Sequence, residues 1–197
     1  VIDAEAISYM YQRGLDVTAA TILAAAVAEA LRPQATVAGV CRAALAAAPT
    51  TPFRTFDRRP FKSCRHYLET CLRVAARHTN VIAAREDLYR HCLLYSMIDP
   101  VELLGLALAM LKISRGDVRQ AAIGGTNIGR DADTIAGRAA MLAGAIRGAG
   151  NVPRDWMRLF TPAALDRIRG NAKRLAALLL DGKLGRMAAR QTCARPA

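Results

Sequence analysis

An all-α fold is predicted for this chain from its periodicity, its helix signals and its lack of strand patterning. Apolar residues recur at helical spacing, as in Tyr67, Cys71 and Val74 at i, i+4 and i+7. Cap and break residues separate these stretches, and no alternating apolar–polar strand or internal repeat of about 20–50 residues interrupts them. With 197 residues, the chain suits one domain with a sizeable core. Its hydrophobic fraction is 53 % but its aromatic fraction only 5 %, so Ala, Leu, Ile and Val must fill that core.

The elements follow in order. Val17 to Leu31 and Val37 to Ala48 read as Ala-rich helices separated by Pro33. Pro49-Thr50-Thr51-Pro52 breaks the pattern, and Arg54 to Lys62 is polar, irregular and basic. Helical periodicity resumes from Ser63 to His78, and a further helix is expected over Val81 to Tyr95. Asp99-Pro100-Val101-Glu102 has the form of a helix start, with Asp as cap, Pro in the first position and Glu three residues after the cap. An apolar helix then runs to Leu111. Short helices are expected at Val118–Ile123 and Pro162–Ile168, and a longer one from Asn171 to Met187.

The densest chemistry lies in Gly129-Arg130-Asp131-Ala132-Asp133-Thr134, ahead of Ile135-Ala136-Gly137. With Asp131 at the N-cap, Asp133 and Thr134 fall in the first helical turn. Three oxygen donors then share one helix end, a grouping that suits Mg²⁺, Mn²⁺ or Ca²⁺. The same residues also suit a plainer role, with Asp131 as an ordinary cap and Asp133 as a favourable charge at the positive helix end.

The wider segment is Gly124-Gly125-Thr126-Asn127-Ile128-Gly129-Arg130-Asp131-Ala132-Asp133-Thr134, followed by Gly137, Gly144-Ala145, Gly148 and Val152-Pro153-Arg154-Asp155-Trp156. It closely resembles the C-terminal signature of the ADP-ribosylglycohydrolase family, an Asp-x-Asp-Thr opening a glycine-spaced helix with a Pro-x-x-Trp element after it. Asp99-Pro100-Val101-Glu102, the helix to Leu111 and Gly116-Asp117-Val118 look like the elements that lead into that motif. The likeness covers residues 15 to 160, and its last third is the diagnostic part.

The resemblance implies a compact, multi-helix orthogonal bundle, here incomplete, over residues 1–160, with a basic helical extension over 161–197. It implies a metal-dependent hydrolase that cleaves a glycosidic bond to ADP-ribose on a protein or small molecule. Asp131, Asp133 and Thr134 would supply one half of a site for two Mg²⁺ or Mn²⁺ ions. Asn127 and Arg130 are candidates to orient ligands or touch substrate, a loop-stabilising role being the alternative for each. The family's early Thr/Ser-Asp-Asp element has no counterpart, since no Asp-Asp pair occurs. Its Asn-Gly-x-x-Met-Arg-like loop is also missing. The expectation is therefore the C-terminal part of a longer enzyme, inactive by itself. A truncated, non-catalytic family member serving as a structural or regulatory module is the alternative.

Gly137, Gly144 and Gly148, spaced seven and four apart, lie near one face of the motif helix and predict a close helix–helix approach. Arg138 and Arg147 break its apolar surface and are expected to point outward or reach polar partners.

Other chemistries find less support. His66, His78 and His91 lack helix-face ligand spacing, so satisfied or surface histidines are expected rather than zinc. Glu86-Asp87, between Arg85 and Arg90, reads as a solvated acidic pair. No serine sits in a nucleophile elbow. The five cysteines form no Cys-x-x-Cys pair, which predicts reduced thiols and a cytoplasmic location. No charge-free apolar run reaches about 18 residues, so no membrane span is expected. The net charge is +12, with ten basic and three acidic residues from Asn151 to Ala197. Coding bias is favoured over nucleic-acid binding for this excess, because no recognisable nucleic-acid motif accompanies it.

Overall fold

The computed structural model describes residues 1–55 and 60–180. Expectations for the rest of the basic segment before Lys62, for the last helix beyond Leu180 and for Cys193 lie outside the described residues. The chain divides into two compact units, Val1–Pro153 and Arg154–Ala197.

The first unit is helical, as its patterning predicts. Its helices are α1 (Ile2–Tyr9), α2 (Leu15–Ala30), α3 (Val37–Ala47), α4 (Cys64–Ala75), α5 (Arg85–Cys92), α6 (Pro100–Ile113), α7 (Val118–Ile128) and α8 (Ala132–Arg147). Side-chain caps fix four of the eight starts. Thr36 accepts from the Gly39 N–H, Ser63 from His66, Asp99 from Val101 and Glu102, and Asp117 from Gln120. One small strand pair, β1 (Phe53–Arg54) with β2 (Pro60–Phe61), departs from the all-helical expectation. There Phe53 stacks on Phe61 at 5.4 Å, and Phe61 meets Tyr67 edge-on at 6.0 Å.

Helix α6 is the axis of the unit. Every residue of it except Lys112 is buried, and α2, α3, α4, α5, α7 and α8 all pack against it. A helix hydrophobic on all sides must sit in the middle of other helices. The interior is built from small and aliphatic side chains such as Ala26, Ala44, Leu68, Leu106, Ile128 and Leu142, all fully buried.

Three boundaries differ from expectation. The helix expected over Val81 to Tyr95 is cut to α5, because tertiary hydrogen bonds take Cys92 and Leu94 out of the ladder. The helix expected to end at Ile123 runs on to Ile128, straight through Gly124 and Gly125. In the second unit, which also contains α9 (Arg154–Met157), one helix α10 (Pro162–Leu180) replaces the two expected. A glycine inside a helix costs only about 1 kcal/mol, so Gly170 does not divide it. Among the described residues, no helix is long and apolar enough to cross a membrane.

The glycine contact also lies elsewhere than expected. Nothing stands within 4 Å of a Cβ built on Gly137 or Gly148, and only Val118 Cγ2, at 3.9 Å, approaches one on Gly144. Gly148 instead ends α8 with φ +78°. The close approach is made by α7. A Cβ on Gly125 would lie 2.4 Å from the Ala136 Cα, and one on Gly124 would lie 2.5 Å from the Met110 sulfur and 2.7 Å from the Val81 Cβ. The expected close approach does involve α8, but the glycines that permit it belong to α7.

Opposite outcomes are therefore expected for two similar substitutions. Gly125→Ala drives a methyl into the backbone of α8 and should destabilise by about 1–3 kcal/mol. Gly137→Ala, on an exposed helix face, should stabilise by about 1 kcal/mol. Chemical denaturation of the two variants beside the parent chain measures both.

Candidate functional site

The site begins with an acid inside an apolar helix. Glu102 stands in the first turn of α6 and is fully buried. A buried carboxylate is costly unless it is paired and hydrogen-bonded. Glu102 accepts from Arg130 Nε at 2.6 Å, from Arg130 Nη2 at 2.9 Å and from the Leu94 N–H at 2.5 Å. Arg130 Nη2 also donates to the Leu94 carbonyl at 3.0 Å. Burial pushes the Glu102 carboxyl above its usual range, with the Arg130 guanidinium opposing it, while the bond to Glu102 makes Arg130 hold its own proton more tightly. Tyr67 completes the arrangement, its hydroxyl donating to the Cys92 carbonyl at 2.5 Å. These bonds end α5. They also absorb the Glu102 side chain, which therefore does not close the capping box suggested by Asp99-x-x-Glu102.

The same pair shapes the turn before α8. Gly129 and Arg130 both have positive φ, +71° and +61°. The left-handed region is ordinary for glycine but disfavoured for arginine. Arg130 is held there by its fork on Glu102, and Tyr89 anchors the preceding residue through its hydroxyl to the Ile128 carbonyl at 2.5 Å. The chain thus reverses within two residues and delivers Asp131 as the N-cap of α8.

Asp131 makes no side-chain bond to the helix N–H groups. Asp131, followed by the N–H groups of Asp133 and Thr134, holds the Asp133 carboxyl below the usual carboxylate range. Asp133 is exposed, and Asp131 and Thr134 are half-buried. Arg138, one turn further along α8 and half-buried, has its proton affinity lowered by burial and raised by the charge of Asp131.

The structure places Asp131 at the N-cap of α8, with Asp133 and Thr134 in its first turn. It gives Arg130 the loop-holding role. Asn127 lies exposed in the last turn of α7, its amide donating to the Ile123 carbonyl at 3.0 Å. Two carboxyl groups and a hydroxyl at one positive helix end are residue types that could form a partial ligand set for a hard divalent cation. Among the described residues, no group of three His, Cys, Asp or Glu side chains could hold a metal ion.

Sequence reasoning missed Glu102 as the keystone and Arg138 as the cation facing Asp131. An acid inside the run Val101-Glu102-Leu103-Leu104 was the available signal, because such a residue demands a buried partner. It also missed a cluster on Asp87, whose carboxylate reaches His78 Nε2 at 2.9 Å, His91 Nε2 at 3.3 Å and Arg77 at 3.7 Å. The acidic residue read as solvated is the hub of that cluster.

Two outcomes follow for these pairs. Glu102→Ala leaves Arg130 without its counter-charge and should cost about 3–5 kcal/mol, whereas replacing both residues by apolar ones of similar volume should cost much less. Urea unfolding of the single and double variants tests this. The hydrogen bond from His78, followed by Arg77 and His91, holds the Asp87 carboxyl below its ordinary value. The stabilisation it supplies is present above the ordinary carboxylate value of about 4 and is lost as pH falls through the lower folded value. Asp87→Asn should thus melt below the parent above about pH 5, with the gap closing on acidification. Thermal melts across pH check it.

Curated proteins and solved structures gave no match. The family model for ADP-ribosylglycohydrolase matches residues 4–184, which takes in all of α2 to α10 and the Asp131–Thr134 motif. Members of this family act on ADP-ribosylated substrates and are generally metal-dependent. By that match along nearly its whole length, the chain belongs to the ADP-ribosylglycohydrolase family.

Proposed function

We propose that this chain supplies one half of a dinuclear Mg²⁺ or Mn²⁺ centre in a hydrolase that cleaves a glycosidic bond to ADP-ribose. The observation that carries this is the placement of Asp131 at the N-cap of α8 with Asp133 and Thr134 in its first turn, inside the segment that the family model matches. A divalent cation bound at this helix end would draw on both carboxylates. Asp131, Asp133 and the Thr134 hydroxyl would hold it. When bound, such a cation polarises substrate hydroxyls and activates water for attack at the ribose carbon that carries the leaving group.

The chain's own residues prepare that chemistry. Asp131 and the N–H groups of Asp133 and Thr134 hold the Asp133 carboxyl below its usual range and so favour its charged form. The fork of Arg130 on Glu102 fixes the turn that aims Asp131. Neither needs to move when ligand arrives, so the site is set by packing made at folding. The cysteines support a reducing compartment such as the cytoplasm. Cys41, Cys64, Cys71 and Cys92 are free and buried, and burial pushes the thiols of Cys41 and Cys64 up to about 11.

Two carboxylates and one hydroxyl leave water in most of an ion's coordination sphere, so weak binding is expected. Mn²⁺ titration followed by electron paramagnetic resonance should show weak, saturable binding by the parent chain. Asp131→Ala with Asp133→Ala should weaken it by about tenfold or more. Unchanged Mn²⁺ affinity in the double variant would overturn the assignment. Release of ADP-ribose from a modified protein should be slow with this ligand set alone, because a displacement of about 1 Å can cost on the order of 10²-fold in rate.

A further inference from the structure

At the opposite end of α8 lies a cavity of about 730 Å³. Asp131 precedes the first residue of that helix, and Ile146 and Arg147, at its last turn, line the cavity. At 1.5 Å per residue the two places are about 20 Å apart along the helix, so the cavity is not part of the carboxylate site. Its floor is apolar, with Val37, Cys41, Leu45, Leu72 and Ile146 among its lining. Its rim is cationic, carrying Arg42, Arg73, Lys112, Arg115 and Arg147 against the single carboxylate of Glu69.

Several observations show that this charge is directed at the cavity. Lys112 is the one residue of α6 that is not buried, and this cavity is where it emerges. Arg42 and Lys112 line the cavity together with Cys41 of its floor. Arg147 lies against Gly116, where an added Cβ would meet Arg147 Nε at 3.5 Å and Val37 Cγ2 at 3.1 Å. Arg147 Nη2 also donates to the Arg115 carbonyl at 2.8 Å, which ties two of the cations to one wall. Among the described residues, no carboxylate makes an ion pair with any of the five.

Five like charges around an apolar basin repel one another, and a multiply charged anion relieves that repulsion. Four of the five are arginines, whose planar forks match phosphate oxygens. A volume within the range of small-molecule pockets and an apolar floor require that the anion also carry a compact hydrophobic body. We propose that this cavity binds a small amphiphilic polyanion of the nucleoside-phosphate class, with its phosphates on the arginine and lysine rim and its base or sugar on the floor between α3, α4, α6 and α8. The inference does not rest on the metal centre.

Calorimetric titration of the chain with ADP in the presence of excess EDTA is the test. Saturable binding is expected, weakening as salt is raised from about 0.05 M to about 0.5 M because screening shortens. Lys112→Glu should reduce affinity by about tenfold or more. Arg42→Glu, an exposed change on α3 that leaves packing alone, should do the same, which guards against misfolding of the first variant. Asp131→Ala with Asp133→Ala should leave ADP affinity unchanged. Absence of ADP binding by the folded parent chain would overturn the proposal. So would binding that survives both charge reversals but fails in the Asp131/Asp133 variant, since the nucleotide would then belong to the carboxylate site. Pyrophosphate binding as tightly as ADP would overturn the amphiphilic part, by showing that the apolar floor contributes nothing.

Discussion

The buried pairing of Glu102 with Arg130 is the constraint on which the site depends. It joins the start of α6, the end of α5 and the turn before α8, three places far apart in sequence. Glu102 cannot stay charged in that interior without a cation, and Arg130 does not favour its left-handed conformation without an anchor. Each residue thus makes the other's position tenable. The outcome is a rigid two-residue reversal that presents Asp131 at the mouth of α8.

Packing supplies the second constraint. Helices α7 and α8 form a hairpin whose backbones nearly touch at Gly125 and Ala136. That closeness is possible because α7 gives up two side chains at Gly124 and Gly125, at the expense of helix propensity. Met110 of α6 fills the space beside Gly124, so the hairpin is keyed onto the central helix. Asp131 and Asp133 thus stand at the start of the helix that makes this close approach.

Helix α8 also separates charge along its length. Its N-terminal turn collects Asp131 and Asp133, and its C-terminal end carries Arg147, which lines the cavity with Arg115 and Lys112. Both groupings follow the helix dipole, which favours anions at the start and cations at the end. One helix thereby carries two chemically opposite environments, one suited to a hard cation and the other to a phosphate-bearing anion.

The sequence by itself determined the helical class, most helix positions and the motif. Apolar periodicity, the Thr36, Ser63, Asp99 and Asp117 caps and the Asp131-Ala132-Asp133-Thr134 run are local signals, each readable over a few residues. Only the tertiary structure decided which glycines pack, where α5 stops and what Glu102 does. The Gly124 and Gly125 contacts depend on Val81, Met110 and Ala136. The end of α5 depends on Tyr67 and Glu102, and the role of Arg130 depends on an acid 28 residues away. The Asp87 cluster and the basic cavity are of the same kind, since each gathers residues with no common spacing in the chain. Local pattern fixes which residues turn a helix; which charges share a buried space is set by how helices cross, and no window along the sequence contains that crossing.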